Sequence, residues 1–539
     1  MTGGQALAQA LLAEGIDLVF GIVGTHNVLL FDGLYAESGL RVVTTRSEQG
    51  AGFMADGYAR ATGRVAACVV VPGPGLTNLL TPLGQAQLDS VPMLAITGQN
   101  RLARLDRRLE DFHELRDSLL VAGAVTASAV RVRRPSDIPG AVRAAARLMR
   151  TGRPQPTLIE VPMDVASADE QVEALPPGEG ETRPAGEPRA IEHAAELLGK
   201  ARRPLVIAGG GAISAEAGPA VRRVAERLGA PVLMSVHGRG AVADDDPLSL
   251  GDGWGRLDYF DALFAEADAC LVVGWSLDEI SDFRRGSRLP DTLVQIDIDP
   301  TAIGRQRPAT VGLVGDARLV VQQLDAQLGH ASREPWCDAD ALRGRKRQRL
   351  EEVAGPVLPL LEDVRAALPR DAIIVDDLCL PGYWAMAALD IYEPRTFMHP
   401  GEYGTLGFAL PAAIGASIGR PDRHVVALCG DGGFLYTSQE LATAMQERVN
   451  VTAIVFNDHA YGALKLYQDR HLGGRRIGVE LHNPDYAHLA EAYGARGVKL
   501  RSSSELRAAL STAVEQAGPT VIECPLEPRL TSTRPPWMA

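Results

Sequence analysis

The chain has 539 residues, 46% of them hydrophobic and 22% charged, and its formal net charge at pH 7 is −13. At about 150 residues per domain the length predicts three to four domains, and so much apolar material excludes a largely disordered chain. The acidic balance argues against a nucleic-acid-binding surface, and no run of about 18 apolar residues predicts a membrane span. The N-terminal MTGGQALAQALLAEG lacks the basic and apolar regions of a signal peptide. Six scattered cysteines without a CxxC pair predict reduced thiols in a cytoplasmic protein, with no zinc site.

Strand-like apolar runs alternate with amphipathic stretches throughout, which predicts an α/β fold with parallel sheets. The first block runs from residue 1 to about 165. Its strand LVF leads to Gly24-Thr25-His26-Asn27, and its strand RVVTTR (41–46) leads to Ser47-Glu48-Gln49-Gly50 and the helix AGFMADGYARATG. At this strand-to-helix turn Glu48 is either a charge on the helix dipole or a buried catalytic acid. Strand VAACVVV (65–71) ends in Pro72-Gly73-Pro74-Gly75, then Leu76-Thr77-Asn78, on the same rim of strand ends. The block closes on PTLIEVPMDV. Residues 166–188, rich in Pro, Gly and Glu, read as a linker.

The second block, 189–330, carries strands PLVIAGG, PVLMSV, ACLVVGW and TLVQIDID, and its Gly209-Gly210-Gly211 turn is weak evidence for a nucleotide. A second boundary lies near 331–355, where Arg343, Arg345, Lys346, Arg347 and Arg349 read as a solvated linker or helix face. The third block, 356–528, has strands AIIVDD, HVVALCG, VTAIVFN and TVIECPL. Residues 529–539 form an irregular tail.

In the third block HVVALCG (424–430) ends in Gly430-Asp431-Gly432-Gly433, and Thr437 and Glu440 have the spacing of a capping box. The next strand ends at Asn457-Asp458. A right-handed β-α-β crossover sets parallel strands side by side with their carboxyl ends together, so Asp431 and Asp458 face one crevice. The glycines let backbone approach a ligand and leave amides free. Two carboxylates and a loop carbonyl suit Mg²⁺ shared with a phosphate. A Gly-Asp-Gly turn alone is equally a plain β-α turn; the second oxygen ligand on the adjacent strand favours a metal–diphosphate site.

Strand-Glu-helix, the GPG turn with Thr-Asn, and GDG followed by Asn-Asp together resemble the thiamine diphosphate-dependent enzymes. More narrowly the chain looks like the acetolactate synthase, benzoylformate decarboxylase and pyruvate oxidase superfamily, over nearly its whole length. The resemblance implies three Rossmann-like, doubly wound parallel-sheet domains: pyrimidine-binding (1–165), central (189–330) and diphosphate-binding (356–528). It implies thiamine diphosphate and Mg²⁺ as cofactors, and a homodimer or homotetramer with active sites between subunits. FAD is not expected, because the central domain of such proteins is often an empty remnant.

By that resemblance Glu48 matches the glutamate that hydrogen-bonds the aminopyrimidine and stabilises its imino tautomer. Asp431 matches the metal-binding aspartate. Asp458 stands where many relatives carry the second Asn of a pair, a departure that adds negative charge, and the Ala460 carbonyl matches the third metal ligand. Leu406 matches the residue that wedges the cofactor into its bent form, with the Gly404 carbonyl accepting from the 4′-amino group. Pro74, Gly430, Gly432, Gly433 and Tyr461 complete the expected cofactor contacts.

His26 resembles the position of an active-site His in benzaldehyde lyase; its other reading is a cap on the next helix. Pro72 stands where benzoylformate decarboxylase has a catalytic His. His113, in Asp111-Phe112-His113-Glu114, replaces the Gln of the Phe-Gln pair of acetolactate synthases. FHELRD, EYGTLGFALPAAIGA and RRIGVELHNPDY look closer to the branch containing 5-guanidino-2-oxopentanoate (2-ketoarginine) decarboxylase. Glu402, Tyr403 and Tyr461 are further rim candidates. The resemblance thus implies a non-oxidative 2-oxo-acid decarboxylase working by ylide addition, CO₂ loss and enamine protonation. A carboligase of the acetolactate synthase type shares every step up to the enamine.

Overall fold

Short runs of Val, Ile, Leu and Ala, apolar on both faces, become the inner strands of sheets covered by helices on each side. The computed structural model describes residues 1–178, 182–252, 258–277 and 289–538. Residues 179–181 of the expected linker lie outside the described residues, as does Ala539 of the tail. Among the described residues there are three six-stranded sheets, each with all its pairings parallel. They are the three parallel α/β layers that the alternating pattern predicts.

The first sheet comprises β1 (Leu18–Gly21), β2 (Arg41–Thr44), β3 (Ala67–Val70), β4 (Leu94–Gln99), β5 (Ser128–Arg131) and β6 (Thr157–Pro162), in the order β2-β1-β3-β4-β6-β5. The second comprises β7 (Pro204–Ala208), β8 (Val232–Met234), β9 (Ser249–Asp252), β10 (Ala269–Val273), β11 (Thr292–Asp297) and β12 (Val311–Val314), in the order β12-β11-β10-β7-β8-β9. The third comprises β13 (Ile373–Asp376), β14 (Phe397–Met398), β15 (Val425–Gly430), β16 (Val451–Asn457), β17 (Arg496–Lys499) and β18 (Thr520–Pro525), in the order β14-β13-β15-β16-β18-β17.

The chain divides into two compact units. The first holds Met1–Thr182, Tyr403–Pro421 and Thr437–Val449; the second holds Arg183–Glu402, Asp422–Tyr436 and Asn450–Ala539. In the first unit helix Ala409–Gly419 lies against helix Glu48–Thr62 with almost no side chain between them. A Cβ on Gly57 would strike the Ala412 carbonyl, and one on Gly415 would strike the Met54 carbonyl. Glycine on both partners is what permits this backbone-to-backbone approach.

Three local expectations change. The tail expected to be irregular carries a helical turn at Pro528–Thr531 and a 3-10 turn at Pro536–Met538. The helix expected to start at Ala51 starts at Glu48, with Ser47 as its N-cap. The Thr437–Glu440 capping box does not form: the Thr437 hydroxyl donates to the Gly407 carbonyl at 2.9 Å, and the Glu440 carboxylate is taken by Arg46, Ser47 and Thr443. The basic run lies on helix Ala339–Ala354, where Arg343 pairs with Asp340, Arg347 with Glu351 and Glu362, and Arg349 with Asp258 and Glu352. All six cysteines are free, and no described helix is long and apolar enough to cross a membrane.

Candidate active site

The predicted residues fall into two sets, one in each unit. In the first unit Glu48 is the first residue of its helix, half-buried. It does not cap that helix, since the Ser47 hydroxyl accepts from Gly50 N at 2.9 Å. The Asn78 side-chain amide donates to Glu48 Oε2 at 3.0 Å, and Asn78 lies on helix Pro74–Leu88, which the GPG turn starts with Pro74 as its first residue. A Cβ on Gly75 would come to 3.4 Å from Glu48 Oε1, so the turn leaves the carboxylate its space.

His26 is buried, 5% exposed, and is not a cap; Asn27 holds the N-cap position of helix Val28–Tyr35 and its Oδ1 accepts from Gly24 N at 2.7 Å. His26 Nε2 lies 3.0 Å from Asn100 Oδ1, and its Nδ1 is buried without a hydrogen-bond partner. The His113 ring centroid is 5.0 Å from that of His26 and 3.9 Å from that of Phe112. His113 Nδ1 is likewise buried and unpartnered. Burial lowers the His113 pKa below its ordinary value and the His26 imidazole lowers it further, against the opposing pull of Glu48.

His113 has a φ of 64° and Gly73 one of 61°, and a Cβ on Gly73 would come to 2.7 Å from the His113 carbonyl oxygen. The turn after β3 therefore carries the His113 segment on its back. Tyr403 packs over Gly84, and the Thr405 hydroxyl donates to Gln85 Oε1 at 2.8 Å. That pins the loop of Gly404 and half-buried Leu406 to the helix that carries Asn78.

In the second unit β15 and β16 are neighbours, Gly430 opposite Phe456, so Asp431 and Asp458 emerge side by side. Helix Asp431–Thr437 starts on the aspartate itself. Asp431 Oδ1 accepts from Gly432 N at 2.8 Å; its Oδ2 accepts from the Asn483 side chain at 2.7 Å and from Ala460 N at 3.2 Å. Asp458 Oδ1 accepts from the same Ala460 amide at 3.3 Å. Asn457 turns away: its amide donates to Glu523 at 3.0 Å and its Oδ1 accepts from Asn483 at 2.9 Å. Tyr461 lies over Gly432, where a Cβ would be 2.6 Å from its ring.

Burial raises the pKa of Asp431, and burial together with the Asp431 charge pushes Asp458 up to about 7. Among the described residues no basic side chain is ion-paired with either. Nor do three or more His, Cys, Asp or Glu side chains form a metal cage there. Two neighbouring carboxylates, Asp431 buried and Asp458 half-buried, with no ion-paired cation among the described residues, suit a hard divalent ion that fills its remaining positions with a carbonyl and ligand oxygens.

Sequence reasoning missed four residues: Asn483, which ties Asp431 to Asn457; Tyr486, whose hydroxyl donates to the Asp431 carbonyl at 2.9 Å; Asn100 on His26; and Glu440 behind Ser47. None has a diagnostic spacing to its partner. Glu440 did stand out, as half of a capping box, but with the wrong helix.

Three family models match the chain: the thiamine pyrophosphate enzyme N-terminal TPP binding domain over residues 1–119, the central domain over 191–324, and the C-terminal TPP binding domain over 379–524. The chain is 39% identical over 541 residues to the "Probable 2-ketoarginine decarboxylase AruI" of Pseudomonas aeruginosa, covering 97% of this chain and 94% of that protein. It is 32% identical over 554 residues to the "Probable acetolactate synthase large subunit" of Methanocaldococcus jannaschii, covering 98% and 92%. It is 35% identical over 538 residues to the "Acetolactate synthase large subunit" of Corynebacterium glutamicum, covering 96% and 85%. From end to end, then, this chain belongs to the thiamine pyrophosphate enzyme family.

Proposed function

We propose that the protein is a thiamine diphosphate- and Mg²⁺-dependent non-oxidative decarboxylase of a 2-oxo acid, and that 5-guanidino-2-oxopentanoate is the first substrate to test. The observation that carries the reading is the cluster in the first unit: a carboxylate held by Asn78, the half-buried His113 imidazole within its electrostatic reach, and the buried His26 imidazole 5.0 Å from that of His113, each imidazole with one unpartnered ring nitrogen. The identity to a protein named as a 2-ketoarginine decarboxylase supports the choice of substrate.

Thiamine diphosphate, when bound, supplies the nucleophilic carbon and the electron sink that loss of CO₂ requires. Glu48, kept in place by Asn78, would hold the proton shared with the aminopyrimidine. Asp431, Asp458 and the Ala460 carbonyl would hold Mg²⁺, and the backbone of Gly430, Gly432 and Gly433 would bind the diphosphate. Pro74, Gly404 and Leu406 in the first unit and Tyr461 in the second would each contact the cofactor. His26 and His113 bind the substrate carboxylate or deliver the proton that releases the aldehyde. The domain division 1–165, 189–330 and 356–528, a homodimer or homotetramer with active sites between subunits, and a cytoplasmic location belong to the same reading.

The acetolactate synthases that match nearly the whole chain support a second reading, carboligation. Product analysis separates them. Purified protein with thiamine diphosphate and Mg²⁺ is given pyruvate, branched and aromatic 2-oxo acids and 5-guanidino-2-oxopentanoate, with and without an acceptor aldehyde. Decarboxylation predicts CO₂ and an aldehyde in equal amounts from the guanidino acid. Acetolactate from pyruvate as the main product would replace the proposal by the second reading.

A further inference from the structure

The helix that starts with Glu48 has half a capping box of its own. Ser47 is the N-cap and its hydroxyl accepts from Gly50 N, but the position three residues on, where Glu or Gln ordinarily reaches back to the cap's own amide, is Gly50. Glu440, from a different part of the chain, supplies the missing half. Its Oε1 accepts from Ser47 N at 2.9 Å and from the Ser47 hydroxyl at 3.0 Å, and its Oε2 accepts from Arg46 N at 3.1 Å and from the Thr443 hydroxyl at 2.7 Å. The fit is steric as well as polar: a Cβ on Gly50 would fall 2.5 Å from the Glu440 carboxyl carbon and 2.8 Å from its Cγ. The space that a side chain at position 50 would fill is filled by Glu440.

Glu440 is fully buried, and burial raises its pKa against the pull of the four donors. Among the described residues no cation pairs with it; the Arg46 guanidinium turns away to the Thr44 carbonyl and Gln446. Amides at a helix N-terminus carry the compensation instead. Gln439 adds a bond to the same Ser47 hydroxyl at 3.3 Å. The residues on both sides of Glu48 are therefore fixed: Arg46 and Ser47 by Glu440, Gly50 by Ser47.

We propose that Glu440 is a positioning residue for Glu48, completing from another segment the cap of the helix that presents the Glu48 carboxylate. This rests on the reading of Glu48 as the cofactor's proton partner. Glu440 touches neither cofactor nor substrate and acts through the backbone of residues 46–48.

The test uses the full chain, first without cofactor. Amide hydrogen exchange over residues 44–51 is expected to be at least about tenfold faster in Glu440→Gln than in wild type, because Gln offers one acceptor oxygen where four donors need two. Ser47→Ala is expected to lie between, and serves if Glu440 variants do not fold. Gly50→Glu combined with Glu440→Ala should restore protection, since it rebuilds the box within the helix in the space vacated.

In the loaded protein, exchange of the cofactor's C2 proton should slow in Glu440→Gln, while the cofactor dissociation constant stays within about threefold. Unchanged amide protection in Glu440→Gln, or no rescue by the double variant, overturns the proposal. If Glu48→Gln itself leaves C2 exchange at the wild-type rate, the reading of Glu48 falls. Slow C2 exchange in Glu48→Gln with wild-type exchange in Glu440→Gln sinks the positioning role alone.

Discussion

Asp431 and Asp458 share one donor: the Ala460 amide lies 3.2 Å from Asp431 Oδ2 and 3.3 Å from Asp458 Oδ1. Burial of the Asp458 carboxylate first, and then repulsion by the Asp431 charge beside it, push Asp458 up to about 7, and among the described residues no basic side chain is ion-paired with either. A divalent cation between them removes the repulsion. Asp431→Ala and Asp458→Ala should each weaken thiamine diphosphate binding in Mg²⁺ by at least about tenfold, and Asp458→Asn by less, because its carbonyl keeps a ligand oxygen. Titration calorimetry on wild type and the three variants checks this. Wild-type affinity in Asp458→Ala would exclude that residue, and Asn457 could not simply replace it, since Glu523 and Asn483 hold both ends of its amide.

Glu48→Gln should keep the fold and bind cofactor yet lose about 10²–10⁴-fold in turnover, the usual loss when a positioned acid–base group is removed. The bond from Asn78 can survive through the Gln carbonyl, so the carboxylate's proton is what the substitution removes. Steady-state turnover at saturating cofactor is the measurement. A variant within about threefold of wild type would return Glu48 to a charge on its helix dipole.

The inner strands were legible because burial on both faces forces unbroken apolar runs: RVVTTR and the ends of TLVQIDID apart, the runs read as strands proved fully or almost fully buried. Five of the strands that went unread lie at sheet edges: Ser128–Arg131, Ser249–Asp252, Val311–Val314, Phe397–Met398 and Arg496–Lys499. Four of these are at least partly open to solvent: Ser128–Arg131 and Arg496–Lys499 are mixed in composition, and Val311–Val314 and Phe397–Met398 are too short for a period to mark them. Leu94–Gln99, buried yet unread, ends in Thr-Gly-Gln, where glycine and polar residues hide a strand. In the site, residues named by a local motif were readable. Asn483, Asn100 and Glu440 were not, because each meets its partner 26 or more positions away in sequence.

The glycine contact between helices Glu48–Thr62 and Ala409–Gly419 predicts a stability effect unrelated to chemistry. Gly57→Ala or Gly415→Ala must push the helices apart, because each new methyl meets a backbone carbonyl that cannot rotate away. Overpacking of this kind costs about 1–3 kcal/mol, more where backbone is the obstacle. Thermal unfolding of the cofactor-free protein should show a lower midpoint for both variants. Gly123→Ala is the control, since nothing lies within 4 Å of its added Cβ. Equal midpoints for Gly57→Ala and the control would mean that the helices pack less closely.

His26 and His113 are expected to act on substrate and leave cofactor affinity alone. Ala at either position should keep the thiamine diphosphate dissociation constant within about threefold while lowering turnover by about 10²-fold or more. The ratio of aldehyde to carboligation product should fall, because slower proton delivery gives an acceptor more time. His113 also leaves a pH signature. Its folded pKa is lowered from 6.5, so below that value the unfolded chain binds the proton that the native chain resists. Stability contributed by the neutral imidazole is present above pH 6.5 and is lost as pH falls through the unfolded and then the folded value. His113→Gln, which cannot titrate, should flatten the melting temperature between pH 7.5 and about 5 relative to wild type. Wild-type turnover and product ratio in both Ala variants would make the histidines structural. The proton would then have to come from Glu114, Glu402, Tyr461 or water, and Glu114 is already engaged, accepting from Asp111 N at 2.9 Å.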